Sequence, residues 1–555
     1  MNRWTLPAAI AAILAIGCGG GGEPPDVGTE VVSVEGKALG TVHFPTSCDA
    51  AVQEELERGL ALLHHMTYVE AAANFRAASE ADPECAIAYW GQAMTFVHPL
   101  WPDSVPPDRL AAGRELLEQA RRAEHSSERE SAYIEAVDGY YGAEGSERPE
   151  RERLEGFLSG WAKVHKANPD DPEAALFHAL AQLAQGADGT YTMQQSAGEI
   201  AESILARVPS HPGAHHYAIH AYDFPPLAER ALGTARRYDD VAPENSHALH
   251  MTSHIFTRLG LWPESIEFNV RAADAARERM PSGAISMHHL HAVDYLAYAH
   301  LQRADDEAAK RVVEQLHSLE PPFQDHAATA YAFAAVPARY ALERHAWDEA
   351  SKVEAPWPED VAWAQYPHLE AIPTFARALG AARTNRPDQA RAAIQELARL
   401  EESARALDSA YDWGTQVAIQ RMASEAWLAY EGEQTERGLE LMQQAAEMEA
   451  ATQKNPVTPG EALPSIELYG DMLLAAGRYE EARTQYRAAL DRSPNRFHSL
   501  YGAARAAELA GMMDVAESTY RELIDICVDS GDRKELVAAR DYLETKQASA
   551  LPDPK

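Results

Sequence analysis

The chain has 555 residues, of which 46% are hydrophobic, and its formal net charge is −36 at pH 7 with histidine counted as neutral. This length exceeds that of one typical compact core, so we expect several domains or a solenoid of repeats. The negative charge argues against nucleic acid as a partner, because phosphate binding needs a basic surface and no basic stretch is visible.

The first residues are typical of an export signal. Asn2 and Arg3 form a short basic start, an apolar run covers residues 6–16, and Cys18 follows. The run is too short to cross a bilayer as a helix. The arrangement resembles a bacterial lipoprotein signal, and this resemblance implies that Cys18 is lipidated and that the lipid alone attaches the protein to a membrane. The alternative is an ordinary secretory signal cut nearby, and both interpretations export the protein.

We therefore expect a cell-envelope protein, either periplasmic or anchored to the outer membrane. The predicted segments are a signal peptide at 1–18, a flexible tether at 19–47, a helical solenoid at 48–545 and a disordered tail at 546–555. Cys48 and Cys85 each precede a predicted first helix of successive repeats, and in an oxidising compartment they can pair as a disulfide.

From Val52 onward nearly every window has the periodicity of an amphipathic helix. The stretch 470–494, GDMLLAAGRYEEARTQYRAALDRSP, places small, aromatic and proline residues at the spacings of a tetratricopeptide repeat, and Gly511 follows Gly477 by 34 residues. Similar units occur at 66–83, 258–273 and 343–350. The resemblance implies an all-α protein, a right-handed α-solenoid of about 12–14 helical hairpins.

Some phrases also resemble a bacterial group of exported tetratricopeptide-repeat lipoproteins. They include FPTSC at 44–48, HPGAHHYAIHAYD at 211–223 and HALHMTSHIF at 247–256. This second resemblance implies architecture and location, but it names no chemistry.

Histidine is concentrated in residues 211–300, which hold eleven of the 23 histidines. Two pairs, His216 with His220 and His250 with His254, are offset from each other by 34 residues. Residues four apart share one face of a helix, and 34 residues is the repeat period, so both pairs are predicted on the same face of the solenoid.

The resemblance to tetratricopeptide repeats implies that the first helix of each hairpin lines a concave groove. Adjacent helices pack about 10 Å apart, so the four rings can converge on one volume. An insertion at 279–283 leaves two registers open for the next helix, one with His288 in the groove and one with His291 and Asp294.

Several imidazoles with a carboxylate form a ligand set suited to zinc, copper, iron or nickel. The alternatives are a polar pocket for an organic or peptide ligand, and structural histidines bonded to carbonyls, which we expect of His211 and His215. We expect His289 to be out of phase with the inner face. The candidate metal ligands are His216, His220, His250, His254, His291 and Asp294.

Other polar residues are predicted at groove positions by the same count of the repeat. Arg339 could hold an anionic group through a two-pronged contact, and the alternative for each of these residues is a solvated charge. The candidate ligand-binding residues are His247, Asp223, Arg339, Glu467, Asp471, Tyr501 and Arg505.

Three functions are compatible with these patterns. The first is a scaffold that binds a protein or small-molecule ligand in its groove, since repeat solenoids mostly serve recognition. The second is a metal-dependent hydrolase or oxidoreductase, in which the metal activates water or dioxygen. The third is metal storage or delivery. The sequence contains no GxSxG, HExxH or CxxC motif that would indicate a familiar catalytic centre.

Overall fold

The computed structural model describes residues 31–34, 36–101, 105–142, 148–278, 283–354, 357–453, 455 and 457–550, without the side chains of 547–550. Cys18, the predicted signal peptide and the first part of the predicted tether lie outside the described residues. The α-helices of the described chain are α1 Gln53–His64, α2 Tyr68–Ala81, α3 Ala86–Met94, α4 Pro107–Arg122, α5 Glu128–Tyr141, α6 Glu150–Ala167, α7 Pro172–Leu183, α8 Thr192–Leu205, α9 Pro212–Tyr222, α10 Ala228–Val241, α11 Ser246–Arg258, α12 Trp262–Glu278, α13 Met287–Gln302, α14 Asp306–His317, α15 Ala327–Leu342, α16 Trp347–Ala350, α17 Pro367–Arg383, α18 Pro387–Arg405, α19 Trp413–Glu431, α20 Thr435–Ala450, α21 Ser465–Ala475, α22 Tyr479–Arg492, α23 Phe497–Leu509, α24 Met513–Ile526 and α25 Lys534–Ala550. Short 3-10 helices cover Ala50–Val52 and Trp363–Gln365.

The helices stack as hairpins. Most helices contact the next one in the chain, and in the middle of the molecule every second helix also makes contact, as in the series α9, α11, α13, α15, α17 and α19. This is the contact pattern of an α-solenoid, in which each hairpin buries its apolar face against its neighbours. The predicted all-α solenoid is therefore confirmed, with roughly twelve hairpins.

The repeat signature explains how neighbouring hairpins approach each other. The Tyr486 ring on α22 lies between Gly470 of α21 and Gly502 of α23, and a Cβ at Gly502 would come within 2.3 Å of that ring. Between α21 and α22 the chain turns at Gly477 with φ +77°, a conformation that side chains other than glycine rarely adopt. Small residues and one large aromatic therefore fix the spacing of these helices.

The predicted tether is too long. Strands β1 (Ser33–Val34) and β2 (Lys37–Ala38) form an antiparallel pair, and the following Leu39, Val42 and Phe44 are buried in the core of the N-terminal half. At the other end α25 continues to Ala550, beyond the predicted start of the disordered tail. The alternating apolar residues before Cys48 therefore belong to the folded body.

The predicted disulfide is present. The Cys48 and Cys85 sulfur atoms lie 2.03 Å apart with a Cα–Cα distance of 4.9 Å. It ties the chain before α1 to the start of α3. Cys527 is a buried free thiol.

Residues far apart in sequence meet across the solenoid. The Trp262 indole donates to the carbonyl of Asn495 at 2.8 Å, and the Tyr191 hydroxyl donates to Gln453 Oε1 at 3.2 Å. The Glu150 amide donates to Asp408 Oδ1 at 3.1 Å. These contacts join the two halves of the chain, so the inner helices face an enclosed interior. Among the helices searched within the described chain, none combines the length and apolarity that a membrane crossing requires.

Candidate metal centre

Three neighbouring inner helices carry the histidines. Pro212 begins α9, where the missing proline N–H has no intrahelical partner to lose. The Asn245 side chain caps α11 by accepting from the Ala248 amide, and the Ser286 side chain caps α13 by accepting from the His288 amide. Helices α9 and α11 contact each other, as do α11 and α13, and almost every residue on them is buried. The histidines therefore lie inside the molecule.

The same side-chain pattern occurs on α11 and α13. His247, His250 and His254 on α11 are matched 41 residues later by His288, His291 and Tyr295 on α13. The aligned rings lie side by side, with centroids 5.0 Å, 4.2 Å and 5.0 Å apart in that order. Both registers left open by the sequence therefore contribute, since His288 and His291 each meet a histidine of α11.

His250, His254 and His291 form the first of two clusters, which we call triad A. One ligand nitrogen from each ring lies within 4.8 Å of the other two. His250 Nδ1 donates to Asn269 Oδ1 at 2.8 Å, and His254 Nδ1 donates to Asp223 Oδ2 at 3.1 Å. Because these oxygens accept, each ring presents the lone pair of Nε2, and the two Nε2 atoms are 3.0 Å apart.

His216, His220 and His247 form the second cluster, which we call triad B. One ligand nitrogen from each of these rings also lies within 4.8 Å of the other two. His216 Nδ1 donates to the carbonyl of His64 at 2.5 Å, which leaves Nε2 as the lone-pair nitrogen. Among the described residues, no hydrogen-bond partner exists for Nε2 of His216, Nε2 of His220 or either ring nitrogen of His247. Triad B therefore gathers buried nitrogen atoms whose bonding capacity is unused.

Burial sets the protonation state of these rings. Desolvation lowers the pKa of His216 to about 3 and holds the pKa values of His220, His247, His250 and His291 well below their usual range. Neutral imidazole is the form that binds a metal ion. At neutral pH these five rings are therefore ready to act as ligands.

The two predicted carboxylates lie in different surroundings. Asp223 accepts from His254 Nδ1 and, at 3.2 Å, from Arg258 Nε. It therefore orients the His254 ring through the nitrogen opposite the proposed ligand atom. Asp294 Oδ1 lies 3.5 Å from Arg339 Nε, and burial raises the Asp294 pKa to about 6. The prediction of Asp294 as a metal ligand differs from the structure, which pairs it with an arginine of the neighbouring α15 outside both triads.

Two of the charged residues predicted to face the groove are instead buried in ion pairs. Arg339 donates to the Tyr331 hydroxyl and to the Gly460 carbonyl, both at 2.8 Å. Glu467 accepts from Arg496 Nε at 3.0 Å. Both side chains are enclosed by the helices packed against them, so neither is a solvated charge.

The remaining predicted ligand-binding residues lie away from the histidine helices. Asp471 on α21 accepts from the Tyr486 hydroxyl at 2.6 Å. On α23, Arg505 Nη1 pairs with Glu508 at 2.7 Å, and Tyr501 packs near the Tyr520 ring with a centroid distance of 6.2 Å. The structure thus brings His247 and Asp223 to the candidate centre but not these three residues.

Of the two histidines expected to bond carbonyls, His215 does so, whereas His211 pairs with a carboxylate. His211 Nε2 lies 3.0 Å from Glu173 Oε1, and His215 Nε2 donates to the carbonyl of Pro209 at 2.8 Å. His289 Nδ1 donates to the carbonyl of Ala273 at 3.0 Å. The sequence reasoning missed His64 on α1, whose Nε2 lies 2.7 Å from Glu173 Oε2, although its LLHH phrase shows a histidine pair on an apolar helix.

Cavities reach the histidines from two sides. One of about 730 Å³ is lined by residues that include Tyr68, Arg109, His288 and His326. Another of about 370 Å³ includes His220 in its wall. Since His288 packs against His247, and His220 belongs to triad B, the histidine cluster lies between two spaces large enough for small molecules.

Comparisons with known proteins identify part of the repeat array. Residues 470–529 match the family model "Tetratricopeptide repeat", so the resemblance seen in the sequence is confirmed there. No curated protein sequence gives a significant match.

Three solved structures are among those that align with this chain. The tetratricopeptide-repeat domain of P58(IPK) aligns with 14% identity over 83% of this chain and 99% of that one, with a TM-score of 0.21. The human IFIT1 dimer with PPP-AAAA aligns with 10% identity over 86% of this chain and 91% of that one, with a TM-score of 0.37. Yeast Tom70 aligns with 11% identity over 91% of this chain and 98% of that one, with a TM-score of 0.32. With such low identities and TM-scores, these likenesses carry no argument about function.

Proposed function

We propose that the protein is a helical-repeat scaffold that binds a transition-metal ion in its interior, on triad A. The observation that supports this most strongly is the pair of Nε2 atoms of His250 and His254, 3.0 Å apart with both Nδ1 protons fixed on oxygen acceptors. Two lone pairs at this distance repel each other unless a metal ion or a shared proton lies between them. Ligand nitrogens about 2.0–2.1 Å from a tetrahedral zinc ion are separated by about 3.3 Å, close to this spacing.

The outer contacts of triad A are those typical of metal sites. A ligating histidine usually donates its second ring nitrogen to a carboxylate, a carbonyl or an amide oxygen, which fixes both the tautomer and the ring orientation. Asp223 and Asn269 supply these acceptors for two of the three rings. Imidazole ligands suit zinc, copper, iron and nickel.

The scaffold itself favours recognition of a ligand. Repeat solenoids bind partners along extended surfaces, so a protein partner fits the architecture. A small molecule fits the cavity of about 730 Å³ whose wall includes His288. We therefore propose a ligand-binding protein in which the metal either holds the ligand directly or fixes the three histidine helices together.

Metal-dependent catalysis is the second candidate, and the cavities favour it. Three imidazoles leave at least one coordination position of a four-coordinate ion open, and a metal with an open position polarises substrates or activates bound water. His291 of triad A packs edge-on against Trp101, with ring centroids 5.7 Å apart, and Trp101 also lines a cavity of about 410 Å³. Trp101 therefore contacts both that cavity and one ligand of triad A.

Metal content of the protein purified without a histidine tag tests the proposed site. We expect at least one metal ion per chain in the wild type and one ion fewer in His254→Ala. His289→Ala is the matched control, because this buried histidine lies on α13 but bonds the Ala273 carbonyl instead of joining a triad. The proposal fails if the wild type binds no metal under any supplementation, or if His254→Ala folds and keeps the metal of the wild type.

We further propose that the protein is exported and anchored by a lipid on Cys18. The Cys48–Cys85 disulfide supports export, because stable disulfides are typical of oxidising compartments. The substitution Cys18→Ala should move the protein from the membrane fraction to the soluble fraction. An unchanged membrane fraction would contradict the lipid anchor.

A further inference from the structure

Triad B repeats the construction of triad A one hairpin earlier. In each triad, two histidines four residues apart on one inner helix are joined by one histidine from the next inner helix, α11 for triad B and α13 for triad A. The two histidine pairs are 34 residues apart in the sequence. The geometry points to a second metal position on His216, His220 and His247, so that the interior holds two metal ions on six imidazoles. This inference rests on the proposed function, since it adds a second ion to the one bound by triad A.

The unused nitrogen atoms of triad B indicate a ligand. His216 contributes Nε2, His220 contributes Nε2 and His247 contributes both ring nitrogens, all buried and without a hydrogen-bond partner among the described residues. Leaving one buried polar atom unsatisfied costs about 1–3 kcal/mol. Four such atoms within one cluster indicate a bound partner, and a cation would satisfy one nitrogen of each of the three rings at once.

A second layer of contacts holds triad B in place. The His64 carbonyl accepts the Nδ1 proton of His216, and the His64 ring is itself fixed by Glu173 at 2.7 Å and by the Tyr217 hydroxyl at 2.9 Å. This chain fixes the tautomer of His216 and directs its Nε2 toward the other two rings. Helix α1, which the sequence analysis did not connect with the site, thus positions a ligand of triad B.

The two triads adjoin each other. The His220 and His254 ring centroids are 5.8 Å apart, and those of His247 and His250 are 6.2 Å apart. Rings of the two triads are therefore in van der Waals range, and ions bound at both would be close neighbours. Two nearby ions can share a bridging ligand and act on it together.

The ligand chemistry favours copper for this pair. All six ligands are imidazoles, with no thiolate or carboxylate in either triad. Placing two divalent ions close together in a buried site is costly without anionic ligands, and the cuprous ion carries only one charge. Imidazole is among the ligand types that copper accepts. The cavity of about 370 Å³ beside His220 gives a route to this end of the cluster.

Titration of the full-length, tag-free protein with Cu(I) under anaerobic conditions tests the inference, with a chromogenic chelator as competitor. We expect two ions per chain in the wild type and in the control His289→Ala, and one ion in either His220→Ala or His254→Ala. Far-ultraviolet circular dichroism and a thermal melt check that each variant is folded. His247→Gln is a more conservative substitution that also removes one ring of triad B. It replaces His220→Ala in the titration if that variant does not fold.

The outcomes separate this inference from the proposed function. If the wild type binds one ion, and this ion is lost in His254→Ala but kept in His220→Ala, the second metal position is refuted. The metal site on triad A is then still supported. Two ions retained in folded His220→Ala and His247→Gln also refute the second metal position. A wild type that binds no copper and no other transition metal overturns both proposals.

Discussion

Asn269 offers a test of the metal site that leaves every ligand in place. It lies on α12, fully buried, and its Oδ1 accepts the Nδ1 proton of His250 at 2.8 Å while its Nδ2 donates to the Ser265 carbonyl at 2.7 Å. In Asn269→Leu, a substitution of similar size, the His250 N–H has no acceptor. The ring can avoid that loss by moving its proton to Nε2, which removes the lone pair directed at the metal.

The expected size of this effect follows from the role of such outer contacts. Their loss typically lowers metal affinity 10–100-fold, which corresponds to about 1.4–2.7 kcal/mol. Asn269→Asp keeps an oxygen acceptor in the same place and should retain the affinity of the wild type. The assay is a competition titration against a chelator of known affinity, at one pH, with circular dichroism to confirm folding. A folded Asn269→Leu variant with unchanged affinity would refute the assignment of His250 as a ligand through Nε2.

Three further predictions concern stability and can be measured by urea or thermal unfolding. Arg496 is buried between two carboxylates, so Arg496→Met should lower the free energy of unfolding by about 3–5 kcal/mol. Arg478→Met breaks the largely exposed ion pair with Glu481 and should change the free energy of unfolding by less than about 1 kcal/mol. Equal losses of stability in Arg496→Met and Arg478→Met would contradict the argument from burial. Replacing Cys48 and Cys85 together by serine should cost about 4 kcal/mol, because the disulfide closes a loop of 37 residues, and the loss should match that of the reduced wild type. Burial raises the pKa of Glu150 from 4.5 to about 7, so this carboxyl ionises at lower pH in the unfolded chain than in the folded protein. The free energy of unfolding therefore falls as pH rises from 4.5 to 7. Glu150→Gln should therefore gain stability relative to the wild type between pH 4.5 and 7, by up to about 3 kcal/mol, and a constant difference across that range would contradict the argument.

The repeat period is the reason that the two histidine pairs of the candidate site could be predicted. His216, His220, His250 and His254 share a face because their offset equals the length of one helical hairpin. Helical geometry then places each pair on one side of its helix, and the structure confirms that both pairs lie inside. The division into two triads could not be predicted in this way, because it depends on which ring of the next helix meets each pair.

The residues that the sequence could not place are those whose role depends on long-range packing. Asn269 accepts from His250 across two helices of one hairpin, and no periodic signal distinguishes it from other polar residues on α12. The insertion at 279–283 lengthens the step from α11 to α13 to 41 residues, so a count of 34 residues cannot assign His291.

The charges at Arg339 and Glu467 illustrate the same limit. Each occupies a position that faces an open groove in an extended solenoid. In this chain the Gly460 carbonyl reaches Arg339, and Arg496 reaches Glu467, so both charges are enclosed. The repeat pattern predicts which face of a helix a residue occupies, but burial depends on how tightly the whole solenoid closes.

The central claim is that buried imidazoles of α9, α11 and α13 bind a transition metal. The most direct measurement is an anomalous difference map from crystals of the metal-loaded, tag-free protein. Our account predicts a peak about 2.0–2.1 Å from Nε2 of both His250 and His254. Anomalous density confined to surface carboxylates, with none between these two rings, would contradict it.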